Sequence, residues 1–101
     1  MAYFGEAIDA HLVSALGDDP ALLRELRRAF LDSALATTDL MKRARCDANW
    51  RQAAERLRGL AATFHGDDLI ALTEEAIAGV PGDPAILRRI RLLLDEIDPL
   101  A

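Results

Sequence analysis

Glu55, His65, Asp67 and Asp68 fall within one stretch, AAERLRGLAATFHGDDL (residues 53–69), and their types could carry chemistry. A carboxylate or an imidazole becomes an effective nucleophile only when a neighbouring base, metal or shifted proton affinity activates it. The chain offers no Ser/His/Asp set, no glycine-rich phosphate loop before a helix and no cluster with metal-ligand spacing. Asp67 and Asp68 beside His65 suggest a metal at first sight, but aspartates at a helix start are better read as N-terminal caps. His11 stands on the first helix with no motif around it. A single cysteine, Cys46, leaves no internal disulfide, and no CxxC or Cys/His spacing points to zinc. No catalytic residue, metal or cofactor is therefore expected, nor enzymatic activity in the usual sense.

Gly59 lies inside the helical stretch that carries Glu55, four residues on. A glycine there costs about 1 kcal/mol relative to alanine, because more backbone freedom is lost on folding. At about 100° per residue, Leu57, Ala61 and Phe64 point to one side of the helix. Glu55, Gly59 and Ala62 share the other side, with Arg51, Gln52 and Arg58 beside them. Core packing cannot require a glycine that faces solvent. What the glycine does is leave a flat spot beside Glu55 where a partner's backbone or side chain can come close. Arg51, Gln52, Glu55, Arg58, Gly59 and Ala62 are the expected partner-binding residues. The plainer alternative is a surface ion-pair cluster of Glu55 with Arg51 and Arg58, each pair worth about 0.2–0.5 kcal/mol. Arg24, Arg27 and Arg28 offer a second basic patch that could steer an acidic partner, or an ordinary solvated face.

Five helical segments are expected to position these residues. The first runs from about Phe4 to Leu16 and ends at Gly17. The second opens at Asp18-Asp19-Pro20, where aspartate can cap and proline suits the first turn. Its apolar stripe is Leu23, Leu26, Phe30, Ala34, Leu40, Met41 and Ala44. A break at Arg45-Cys46-Asp47 precedes the third, where Asn49 and Gln52 resemble a capping box. Trp50, Ala53, Ala54, Leu57, Ala61 and Phe64 form its buried face. After the turn at His65-Gly66-Asp67, the fourth turns Leu69, Leu72, Ala76 and Ile77 inward and ends at Gly79. Gly82-Asp83-Pro84 starts the fifth, with Leu87, Ile90, Leu94 and Ile97 inward and a stop near Pro99. The short connections favour antiparallel neighbours. The fold class expected is all-α: an antiparallel up-and-down four-helix bundle with an additional short N-terminal helix, as one domain over residues 1–101.

Composition agrees and narrows the function. The chain is 51% hydrophobic with few aromatics, so Leu, Ala and Ile must do most of the packing. β-branched residues are sparse and no run alternates with period two, which argues against strands. A formal charge of −5 and a pI near 4.9 make nucleic acid a poor partner. MAYFGEAIDAHLV carries acids where a signal peptide would carry bases, and no apolar run could span a membrane. A cytoplasmic location, no membrane association and a monomeric state are expected.

The residues around Glu55 resemble a known family. RLRGLAATFHGDDLIAL, preceded by AAE, looks like the signature of the histidine phosphotransfer (HPt) domains of two-component phosphorelays. That signature reads roughly His-x-Leu-Lys-Gly-x-Ala-x-x-Leu/Phe-Gly-x-x-x-Leu. Leu57, Gly59, Ala61, Phe64 and Leu69 fall on it, with Arg58 where lysine is usual. ALGDDPALLRELRRAFLDSA resembles the preceding helix, and the Asn49-Trp50 pair also fits, so the likeness covers about residues 12 to 97. It implies a four-helix bundle for signal transduction, docking a response-regulator receiver domain or a histidine kinase through the third helix.

Glu55 occupies the phosphoacceptor-equivalent position, where the family has histidine. Neutral imidazole attacks phosphorus and yields a phosphoramidate of high transfer potential; an exposed carboxylate is a weak nucleophile whose acyl phosphate hydrolyses easily. The expectation is a non-phosphorylatable protein that acts by binding. Glu55 would bear a permanent charge of about −1, against about −1.5 to −2 for a phosphate monoester. His65, where the family usually has glycine, is the alternative acceptor in an active phosphotransfer protein. Ten residues of helix would carry it roughly 15 Å and about 280° from Glu55, out of reach of a receiver docked over Gly59. A helical oligomerisation module unrelated to phosphotransfer is the remaining alternative.

Overall fold

The structure, a computed structural model, describes residues 4–97. Five helices form: α1 (Phe4–Leu16), α2 (Pro20–Arg43), α3 (Asp47–Thr63), α4 (Asp67–Ala78) and α5 (Pro84–Leu94), with no strand among the described residues.

Two helix starts follow from the same local chemistry. The Asp19 carboxylate accepts from the N–H groups of Ala21 and Leu22 at 3.1 and 3.3 Å, and Pro20 opens α2 without wasting a donor. Asp83 accepts from Ala85 N–H at 2.9 Å ahead of Pro84. The end of α1 falls at Gly17, whose φ of +85° is left-handed backbone that glycine adopts without a Cβ penalty.

Two other starts differ from expectation. The N-cap of α3 is Cys46 rather than Asn49, three residues earlier, and it makes no side-chain cap bond. The Asn49/Gln52 capping box is therefore not formed, because Asn49 already lies within the first turn. At α4, Gly66 is the N-cap, while Asp67 and Asp68 lie in the first turn. They complement the helix dipole there rather than cap it.

Packing joins α2 to α3 and α5, α3 to α4, and α4 to α5, with α1 laid on α2. The core takes Phe30, Ala34 and Met41 from α2, Trp50, Ala54, Leu57 and Ala61 from α3, Leu69 and Ala76 from α4, and Ile90 and Leu94 from α5. Each large aliphatic side chain taken fully out of water contributes about 1.5–3 kcal/mol. Trp50 buries its ring and still satisfies its indole N–H, which donates to the Ala76 carbonyl at 3.1 Å and so ties α3 to α4. Thr73, absent from the expected core, is fully buried; its hydroxyl donates to the Ile70 carbonyl at 2.7 Å. No buried side-chain nitrogen or oxygen lacks a hydrogen bond among the described residues. Leu40 was expected inward but is 38% exposed. Ile97 is buried as expected, yet lies beyond α5, which ends at Leu94 with Asp95 as C-cap. The expected stop at Pro99 lies outside the described residues.

Helix α1 buries Phe4, Ile8 and Leu12. Phe30 stands between two rings, Phe4 at 6.3 Å and Phe64 at 4.8 Å, both tilted. Such pairs add about 0.5–1.5 kcal/mol each beyond area burial. Arg27 is not part of an exposed basic patch. It is buried, and its Nε donates to Asp9 of α1 at 2.8 Å. Arg28 likewise pairs with Asp32, within its own helix, at 3.3 Å. Phe4 N–H donates to Glu96 Oε1 at 3.0 Å, linking the start of α1 to the segment after α5. No helix among the described residues is long and apolar enough to cross a membrane.

Candidate docking surface on the third helix

Helix α3 is two-sided because its apolar residues keep a helical period. Trp50, Ala53, Ala54, Leu57 and Ala61 are buried; Arg51, Gln52, Glu55, Arg58, Gly59 and Ala62 are all exposed. The structure therefore brings the six candidate residues onto one outward strip. A Cβ built on Gly59 meets nothing within 4 Å, so no packing inside the chain calls for glycine there. The Gly59 carbonyl accepts from the Thr63 hydroxyl at 3.0 Å, one turn on. Glu55 enters no salt bridge with Arg51, Arg58 or any other described residue. The ion-pair cluster weighed from the sequence is not formed.

Beside the strip lies a shallow depression of about 320 Å³ between the end of α2 and α3, lined by Leu40, Arg43, Ala44, Asn49, Gln52, Ala53 and Arg56. Gln52 belongs to both strip and depression. Arg43 and Arg56 were not among the candidate residues. The signal for them was charge density: residues 42–58 hold six of the chain's 12 Lys and Arg (Lys42, Arg43, Arg45, Arg51, Arg56 and Arg58) against two of its 17 acids, Asp47 and Glu55. An acidic chain thus concentrates positive charge around the start of α3. Such a field raises the local concentration of an oppositely charged partner. Cys46 is exposed at the N-cap of α3, near the same end.

His65 is not drawn into this site. It follows the C-cap Phe64, and its N–H donates to Ala62 O at 3.2 Å as the chain turns towards α4. Its φ of +56° is the one positive value at a non-glycine residue in the described chain, and its ring stacks on His11. Asp67 and Asp68 are exposed, and no group of three His, Cys, Asp or Glu among the described residues could hold a metal ion. The arrangement at Glu55 presents an exposed carboxylate, a bare backbone spot and exposed guanidinium groups of Arg51 and Arg58 on the same strip. The chain matches no protein-family model, no curated protein and no solved structure.

Proposed function

We propose that the chain is a degenerate HPt-like domain of a bacterial phosphorelay, cytoplasmic and not phosphorylatable, that acts by docking a receiver domain of a response regulator. The observation that carries this reading is Glu55 beside Gly59, both exposed, with no salt bridge from Glu55 to any described residue and open space above Gly59. Two further features support it. The closed neighbour pattern of α2, α3, α4 and α5 suits an antiparallel up-and-down bundle with α1 alongside. His65, standing where the family pattern has glycine, takes a left-handed φ that glycine favours. The basic surroundings of the strip fit a partner whose docking face is acidic.

Titration of the purified chain against receiver domains from the same cell tests the proposal. Gly59→Arg fills the flat spot without touching the core, so the variant should fold and lose about tenfold or more in affinity, the equivalent of about 1.4 kcal/mol. Wild-type binding that ignores this substitution, or no binding to any receiver, overturns the reading.

A further inference from the structure

Helix α2 has a second recess on the flank away from α3. Leu40, Arg43 and Ala44 line the depression beside α3, whereas Leu35, Thr38, Asp39 and Lys42 line a shallow groove of about 320 Å³ against α5. The other wall of that groove is Pro84, Leu87, Arg88 and Arg91 of α5. Both sets follow the spacing i, i+3, i+4, i+7, so each is one helix face over two turns, about 10 Å long. None of the six residues of the α3 strip takes part in it.

The floor of the groove is apolar. Leu35 of α2 and Leu87 of α5 pack on the core but remain half-buried, and Pro84 is exposed. Thr38 donates its hydroxyl to the Ala34 carbonyl at 2.7 Å, so it brings no unmet polar demand. Apolar surface left wet on two facing helices is surface that a third element would remove from water, at a gain of about 25 cal/mol per Å².

The walls add a sign to this surface. Asp39 is held by Arg43 at 2.7 Å, and Arg91 holds Asp95 at 3.4 Å, so those charges are answered within the chain. Arg89, on another side of α5, grips Glu75 of α4. Lys42 and Arg88 stand on opposite walls, both exposed, and neither forms a salt bridge with any described residue. In a chain of net charge −5, this groove is therefore a place of uncompensated positive charge. Such a rim favours an acidic partner and works against a basic one.

Shape selects among acidic occupants. Small-molecule sites enclose most of their ligand, and this groove is shallow with walls on two sides. An extended peptide adds to a sheet edge, and no strand exists among the described residues. A helix laid along two helices needs what is present here: an apolar floor at helical spacing and charged borders. We propose that the α2–α5 groove docks a short acidic amphipathic helix of a partner protein. Its apolar stripe lies on Leu35 and Leu87, and its carboxylates meet Lys42 and Arg88. The contact covers two helical turns, so binding is modest and weakens with added salt. This surface is independent of the phosphorelay reading, which concerns the α3 strip.

The probe is a synthetic helical peptide of about 16 residues, with leucines at i, i+3, i+4 and i+7 and glutamates on its other faces. It is titrated into the isotope-labelled full chain and followed by amide NMR shifts. The shifts should concentrate at residues 35–42 and 84–91, with a Kd of about 100 µM or tighter. The double variant Lys42→Glu/Arg88→Glu changes only exposed side chains, and should fold and bind about tenfold or more weakly. Gly59→Arg should alter this affinity by less than about twofold, so failure of the groove and failure of the α3 strip are read separately. The same peptide with lysine in place of glutamate should not bind. No binding, shifts centred on the α3 strip, or equal affinity for the charge-reversed protein or the lysine peptide overturns the proposal. Decanoate filling the groove while the acidic peptide does not also overturns it, and marks a site for a small amphiphilic anion instead.

Discussion

Arg27 of α2 and Asp9 of α1 form an ion pair of 2.8 Å in which the guanidinium side chain is 9% exposed and the carboxylate 35%. An arginine in the apolar stripe of α2, four residues after Leu23 and three before Phe30, is held there by a carboxylate from another helix. Asp9→Ala removes a charged acceptor of the buried guanidinium. The expected loss is about 1.5–3 kcal/mol in a urea unfolding experiment, the usual worth of a hydrogen bond to a charged group. A loss below about 0.5 kcal/mol would mean that the Asp9–Arg27 pair contributes little to holding α1.

Gly59 and Gly66 should respond in opposite directions to the same substitution. Gly59 is helical with open space above it, so Gly59→Ala should stabilise the protein by about 0.5–1 kcal/mol. Gly66→Ala drives a methyl into the Phe4 ring and should destabilise by about 1–3 kcal/mol. Thermal denaturation of the two variants side by side is sufficient, and equal shifts would contradict the packing described.

Trp50→Phe keeps most of the buried ring and deletes the indole donor, leaving the Ala76 carbonyl without its partner at 3.1 Å. A cost of about 1–3 kcal/mol is expected, with the helical circular dichroism unchanged. An unfolding midpoint equal to that of the wild type would show that the carbonyl is satisfied in another way.

Arg89 grips Glu75 with two N–H donors, at 2.8 and 3.0 Å, joining α5 to α4. That hydrogen bond is the main cause holding the Glu75 carboxyl below its ordinary range; lost solvation pushes the other way, and the Arg89 charge adds to the lowering. The folded state therefore releases this proton more readily than the unfolded one. The stabilisation is present in full above the ordinary carboxylate range and is lost as the pH falls through the folded value. Both groups are exposed, so the effect is small. The stability difference between wild type and Glu75→Gln should narrow as the pH drops from about 7 to about 3. A difference that does not change with pH would count against the pair.

Where a residue's role depends on its neighbours along the chain, the sequence was readable. Asp19-Pro20 and Asp83-Pro84 marked helix starts because capping is local chemistry, and α3's outward strip followed from helical period alone. The N-cap of α3 lies three residues before Asn49 because no side chain caps the helix, which leaves no local mark in the sequence. Asp67 and Asp68 carry the right composition for a cap but sit one and two positions past it. Arg27 and the two histidines were beyond reach for another reason. Each takes its meaning from a residue on a different element, and periodicity says which face a side chain is on without saying who stands opposite. Arg27 did fall within the stripe of its helix, and a charge at a core-facing position is the one hint that a partner was waiting.

Cys46, exposed at the N-cap of α3, is the one thiol in the chain. A maleimide dye will therefore attach at a single defined place, close to the basic end of the strip and away from the packed interior. Fluorescence from that dye gives a direct optical readout of anything that settles on the helix, in the natural sequence and with no engineered handle.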